Sequence, residues 1–344
     1  MSNKQKAAAI GGGVLALAVG AFFLLKGGGI DNLPIIGKDD PITCPLTGEE
    51  PSDEAIVERA AVGVKIENAA IARPLSGLED ADLVYEELVE GGETRFMAIY
   101  HCNDTKKGGP VRSARMVDPS LLEPITRILG FSGANQPVLD ALAEADIVAL
   151  TETAAEDAME RVPREGISSE HTLYANSAKL RKAAADDYSD PPPEDMFKFG
   201  DLEGSGKKAS TITLNFGGAS TITYDYSDGS WNRSQDGVPF VSEAGGQIAP
   251  ANVIVEEHTV NFSEIVDAAG NPSIEIEDDT GSGRAVLFRD GRAIVGTWVR
   301  ESADAPVRFE TKSGDQMVFA PGSIWIELVP SDVGEMKGSF SYEK

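Results

Sequence analysis

Between Arg95 and Arg115 the chain sets five cations, Arg95, Lys106, Lys107, Arg112 and Arg115, against one carboxylate, Asp104, a local net charge of +4 in a protein whose formal charge is −26. Guanidinium groups grip phosphate or carboxylate oxygens two at a time. Gly108 and Gly109 allow close backbone approach, and the amides from Val111 to Ser113 could face an anion. Arg95, Arg112, Ser113 and Arg115 are therefore candidate ligand-binding residues, joined by His171 in "RVPREGISSEHTLY". The competing chemistry is internal. "YEELVEGGETR" supplies Glu86, Glu87, Glu90 and Glu93, which the arginines can neutralise across neighbouring elements. In a strand, Glu86 and Glu90 would share one face with Glu87 on the other, one requirement for a carboxylate pair.

Other chemistries lack their signatures. No acidic loop closes with the Glu of an EF-hand, and two cysteines without CxxC spacing make no zinc site. The glycine runs are neither a phosphate-binding loop nor a dinucleotide fingerprint, and no serine sits in G-x-S-x-G. No metal or cofactor is expected. His101 and His258 read as structural, whereas Trp231, among turn-forming residues in "SDGSWNRSQDG", reads as an exposed contact for a partner or glycan.

The elements that must position these residues follow from periodicity. "AAVGVKIEN", residues 83–89 and "TRFMAIYHC" are strand-like, "SLLEPITRILG" and "NQPVLDALAEAD" have helical spacing, and "IVALTE" returns to a strand. Pro191 to Pro193 break any regular element, and beyond residue 205 short alternating runs with an Asp-Gly turn in "RDGR" predict hairpins. Trp298, Trp325, Phe288 and Phe319 fall in such runs and are expected in the core. The fold class is α+β, with residues 44–204 an N-terminal mixed α/β domain, 205–330 a β-rich second domain and 331–344 a C-terminal tail.

The N-terminus sets the compartment. Lys4 and Lys6 precede an uncharged run from Ala7 to Leu25, nineteen residues that make a helix of roughly 28 Å, enough to cross a hydrocarbon core. Residues 1–26 are read as a transmembrane signal anchor, longer than the apolar part of a cleaved signal peptide, which is the alternative, and 27–43 as a stalk. The positive-inside rule places the bulk outside the cytoplasm. There Cys44 and Cys102 can form a disulfide, two separate buried thiols being the other outcome.

"CPLTGEE", "VKIENAAIARPLSGLEDADLVYEELVEGGETRFMAIY" and "GGPVRSARMVDPS", followed by "YDYSDGSWNRSQDGVPF", "ANVIVE", "RAVLFRDGRAIVGTWVR" and "APGSIWIELVP", resemble the YerB family of bacterial lipoproteins. The resemblance runs from about residue 44 to 330 and implies a two-domain extracytoplasmic architecture without an established reaction. No lipobox cysteine follows the apolar segment here, so a transmembrane helix stands in for the lipid. Glu170 and Thr172 flank His171 where the family has Pro and Asn, so no role for His171 is carried over.

Together these features describe a membrane-anchored extracytoplasmic protein of the cell envelope, a binding or scaffold protein with an Arg-rich anion-binding groove. Its partners would be the membrane, through residues 7–25, and an anionic envelope ligand or an envelope protein. With 56 acidic residues against 30 basic ones, nucleic acid is not a partner. The alternatives are an envelope enzyme acting on a phosphate-linked glycan or lipid, with a glutamate as base or metal ligand, and a purely structural interaction module.

Overall fold

Runs rich in β-branched and aromatic residues form strands where their composition predicts them: β1 (Val62–Glu67), β2 (Leu83–Leu88) and β3 (Thr94–Tyr100). β3 lies antiparallel between the other two. The computed structural model describes residues 41–344 apart from 203, 205 and 267–269. The anchor expected at 7–25 and nearly all of the stalk lie outside the described residues, among which no helix is long and apolar enough to cross a membrane.

"SLLEPITRILG", expected as one helix, divides into a short helix and a strand. α1 spans Asp118–Leu122, and Ile128–Gly130 forms β4, parallel to β1. Pro124 is the reason: it has no N–H to return to the Ser120 carbonyl four residues back, which accepts from Arg300 instead. α2 (Gln136–Glu144) is capped by the Asn135 side chain, and β5 (Val148–Leu150) runs parallel to β4. A small hairpin, β6 (Met159–Arg161) and β7 (Leu173–Ala175), precedes α3 (Ser177–Ala183).

After the short strands β8 (Lys198–Phe199) and β9 (Lys207–Lys208), the remaining elements are strands: β10 (Thr211–Asn215), β11 (Ile222–Ser227), β12 (Ser230–Gln235) and β13 (Val238–Pro239). They continue with β14 (Asn252–His258), β15 (Val260–Val266), β16 (Pro272–Ile276), β17 (Gly281–Arg289) and β18 (Arg292–Arg300). β19 (Arg308–Thr311), β20 (Val318–Phe319), β21 (Ile324–Pro330) and β22 (Ser339–Glu343) close the chain. Asp290 and Gly291 make the β17–β18 turn that "RDGR" predicts.

The main sheet runs β19-β18-β17-β14-β21-β2-β3-β1-β4-β5. β21, from the C-terminal half, pairs in parallel with both β14 and β2, so the two halves that composition separates near residue 205 share one sheet. Residues 42–344 accordingly form one compact unit. A second sheet, β13-β12-β11-β10-β22, covers one face through Trp231, Tyr224 and Phe240. α1, α2, Phe197 and Phe319 pack on the other. Both faces being covered, β1, β2 and β21 are buried at every position.

Three further expectations change. Residues 339–343, assigned to a tail, form β22 at the edge of the second sheet. Trp231 is no exposed platform: it is fully buried, 5.8 Å from Phe288 and 5.0 Å from Tyr226, because its strand faces the main sheet and its turn neighbours do not. The amides of Val111 and Arg112 do not face an anion, since they bond the carbonyls of Leu173 and Lys65. Trp298, Trp325, Phe288 and Phe319 are buried, and Cys44 is bridged to Cys102, tying the first described residues to the end of β3.

Candidate anion-binding groove

The strand register sorts the charges. Glu67, Arg95 and Glu87 form one cross-strand row, while Ile66, Phe96, Glu86 and Glu327 form the neighbouring row. Successive side chains alternate faces, so Glu86 and Glu87 lie on opposite sides of the sheet. Glu90 does not share the face of Glu86 by strand periodicity, because β2 ends at Leu88. Gly91 and Gly92, with φ of 77° and 74°, turn the chain there.

On the first face Arg95, Arg112 and Arg115 converge with Glu67, Glu90 and Glu93 on an open groove of about 230 Å³. Arg115 is closed: its Nε donates to Glu90 Oε2 at 3.0 Å and Nη2 to the same oxygen, while its backbone N–H donates to Asp118 Oδ2 at 2.7 Å. Arg112 is held loosely, with Nε 3.9 Å from Glu67 Oε2 and Nη1 3.4 Å from the Glu170 carbonyl. Arg95 donates Nη1 to the Ser113 carbonyl at 3.1 Å and makes no ion pair among the described residues. Burial, and then the neighbouring Arg115 and Arg112 guanidiniums, push Arg95 down to about 10.

His171 reaches the groove through an intermediary. Its Nδ1 lies 2.7 Å from Glu67 Oε2, fixing a carboxylate whose other oxygen, Oε1, is buried without a partner among the described residues. Burial raises the Glu67 pKa against the opposing pull of His171. Ser113 contributes its carbonyl. Behind the arginines, Lys65 Nζ bridges Glu87 and Asp118, at 2.8 Å from Asp118 Oδ1, with the Lys65 side chain only 1% exposed. Burial lifts Glu87 above the usual carboxylate range, Lys65 opposing.

Lys106 is exposed, and Lys107 and the two glycines of the basic island serve the fold. Lys107 Nζ pairs with Glu243 at 2.6 Å and lies 4.4 Å from the centre of the Tyr174 ring. Gly108 bonds Ala175 and Gly109 bonds Ser76 through their backbones; a Cβ at Gly109 would meet the Leu173 carbonyl at 2.8 Å. The glycines admit a neighbouring strand, not a ligand.

The opposite face holds a sealed cluster. Arg233 Nη2 donates to both oxygens of Glu86, at 3.0 and 2.9 Å, with neither side chain exposed, and its guanidinium sits 4.0 Å from the Phe240 ring centre. Thr94 Oγ1 donates to Glu86 at 2.6 Å, and the Tyr224 hydroxyl donates to Glu327, whose pKa burial and Glu86 drive well upward.

Lys65, Glu67, Asp118, Arg233 and Glu327 were not among the expected site residues. The available signal was a charged residue inside an otherwise apolar strand, as with Lys65 and Glu67 in "VGVKIE". The other two histidines are buried in the fold. His101 is buried and pushed to about 4, chiefly by burial. His258 is stacked on Trp298 and held between Glu256, 3.0 Å from Nε2, and Asp278, 3.3 Å from Nδ1.

Residues 46–190 match the family model described as "Protein of unknown function (DUF3048) N-terminal domain", and residues 212–326 match its C-terminal domain. The chain is 28% identical over 335 residues to "Putative lipoprotein YerB" of Bacillus subtilis (strain 168), covering 92% of this chain and 94% of that protein. It is also similar to the crystal structure of the YerB protein from Bacillus subtilis, with a TM-score of 0.70 and 26% identity over 87% of this chain and 99% of that one. The chain belongs to the DUF3048 family, and its likeness to YerB extends through both halves of the fold.

Proposed function

We propose that this member of the DUF3048 family is a membrane-anchored extracytoplasmic protein of the cell envelope that binds an anionic group, phosphate or carboxylate, between Arg95 and Arg112. The observation that carries the reading is Arg95, a half-buried guanidinium with no ion-pair partner among the described residues and two further guanidiniums beside it. With Arg115 neutralised by Glu90 and Arg112 held only 3.9 Å from Glu67, the Arg95 and Arg112 guanidiniums keep capacity for an added anion, whose attraction partial burial strengthens. Arg115, already satisfied by Glu90, braces the site. The apolar run from Ala7 to Leu25, behind Lys4 and Lys6, supplies the anchor. The name of the similar Bacillus subtilis protein, a lipoprotein, and the Cys44–Cys102 bridge support an oxidising location outside the cytoplasm.

Calorimetric titration with inorganic phosphate and with acetate tests the reading. The native chain should bind at least one of them, with affinity falling as salt is raised. Arg112→Gln and Arg95→Gln should each weaken that binding about tenfold or more, the loss of roughly 1.4 kcal/mol of charge-assisted hydrogen bonding. No heat from the native chain, or equal affinity in both variants, would refute it.

A further inference from the structure

The groove is not a positive pocket. Glu67, Glu90 and Glu93 stand in its walls beside the three arginines, and of these charges only Arg115 and Glu90 form a close pair. Glu93 is exposed. Glu67 is buried: its side chain is 3% exposed, its Oε2 is engaged by His171, and its Oε1 has no hydrogen-bond donor among the described residues. A buried carboxylate oxygen without a donor is unfavourable; Glu87, Glu256 and Glu327 also carry one, but of these four carboxylates only Glu67 lines the groove, where a ligand could supply the missing donor. A ligand carrying only negative charge would meet Arg95 and Arg112 but also three carboxylates. A simple cation would meet three guanidiniums.

Resting on the anion-binding reading above, we propose that the ligand is zwitterionic, presenting its phosphate or carboxylate to Arg95 and Arg112 and an adjacent ammonium to Glu67. Arg112 makes the exchange possible. It touches Glu67 only at 3.9 Å and the Glu170 carbonyl at 3.4 Å, so it can turn toward the anion and open the carboxylate to the ligand's N–H donors. His171, 2.7 Å from Glu67 Oε2, holds that carboxylate in place as a positioning residue. A groove of about 230 Å³ suits a group the size of an aminoalkyl phosphate or an amino acid. The same chemistry occurs in lipid headgroups and in amino-acid termini.

Calorimetry on the full chain with inorganic phosphate, acetate, ethanolamine, O-phosphoethanolamine and β-alanine separates the two sources and tests the inference. O-phosphoethanolamine should bind at least tenfold more tightly than phosphate if the source is a phosphate ester; β-alanine should exceed acetate by the same factor if it is a carboxylate. Ethanolamine alone should not bind. Glu67→Gln should erase the advantage of the zwitterion while leaving the plain anion bound as well or better, whereas Arg112→Gln should weaken both. The comparison of ligands on the native chain does not depend on how well the Glu67 variant folds, and Glu67→Asp, which keeps the charge, should retain part of the advantage. Zwitterions that bind no better than their plain anions overturn this inference and leave the anion-binding reading standing. The absence of any binding overturns both.

Discussion

Two Arg–Glu clusters lie back to back on β1, β2 and β3, and they differ in what covers them. Arg233 and Glu86 are closed under the second sheet, with neither side chain exposed and an aromatic ring against the guanidinium. Arg95 and Arg112, on the other face, are bounded by loops and leave a groove. Glu86 and Glu87 are adjacent in sequence, yet one helps join the two sheets and the other anchors Lys65 behind the groove. A buried ion pair is worth little in net stability, but leaving half of it alone is expensive. The sealed cluster therefore behaves as a joint. The open cluster, with its cations incompletely paired, has capacity left for a ligand.

The largest expected effect sharpens that contrast. Arg233→Met leaves Glu86 buried without its cation and should lower unfolding free energy by about 3–5 kcal/mol in urea titrations, while the surviving folded protein titrates anions normally. A loss below about 1 kcal/mol would show that the joint is not one.

Next comes pH. His258 is enclosed by Glu256, Asp278 and Trp298, beside a small cavity also lined by Tyr85, Asp279 and Arg300. Although burial opposes the charge, hydrogen bonds that the imidazolium donates to the two carboxylates raise the His258 pKa to about 9 from 6.5. The folded pKa exceeds the unfolded one, so the contribution, roughly 3 kcal/mol, is fully present below pH 6.5 and is lost as pH rises through 9. Denaturation midpoints should fall over that window, and His258→Gln should flatten the fall. An unchanged slope in the variant would assign it to other groups.

The smallest effect on stability belongs to Arg112→Gln. Its side chain is 28% exposed and its ion pair is long, so melting should register less than about 1 kcal/mol, even though anion binding weakens tenfold. A stability loss rivalling that of Arg233→Met would erase the distinction between the faces.

Much of the strand content was readable because β-branched and aromatic runs bounded by turn residues carry their own signal. β1, β3, α2 and the Asp290–Gly291 hairpin follow it. The helix expected through "SLLEPITRILG" failed because apolar spacing of three and four also suits a short helix followed by a buried strand, and Pro124 arbitrates. Trp231 failed for a related reason: polar neighbours describe a turn, not the direction in which one strand residue points. The convergence of Arg95, Arg112 and Arg115 was legible from composition. Glu67 carried only the weak signal of a charge in an apolar strand, since such a carboxylate looks solvated until both sheet faces are seen to be covered.

Local chemistry alone determined that this chain has strands in both halves, a local concentration of cations in an acidic protein, and an apolar N-terminal run of membrane-spanning length. Tertiary structure decided which charges meet. β21 returns from the C-terminal half to lie beside β2, bringing Glu327 opposite Glu86 and the second sheet over both. Contacts at that sequence separation depend on register and on which face a neighbouring layer covers, and a one-residue shift in register would exchange the joint for the groove.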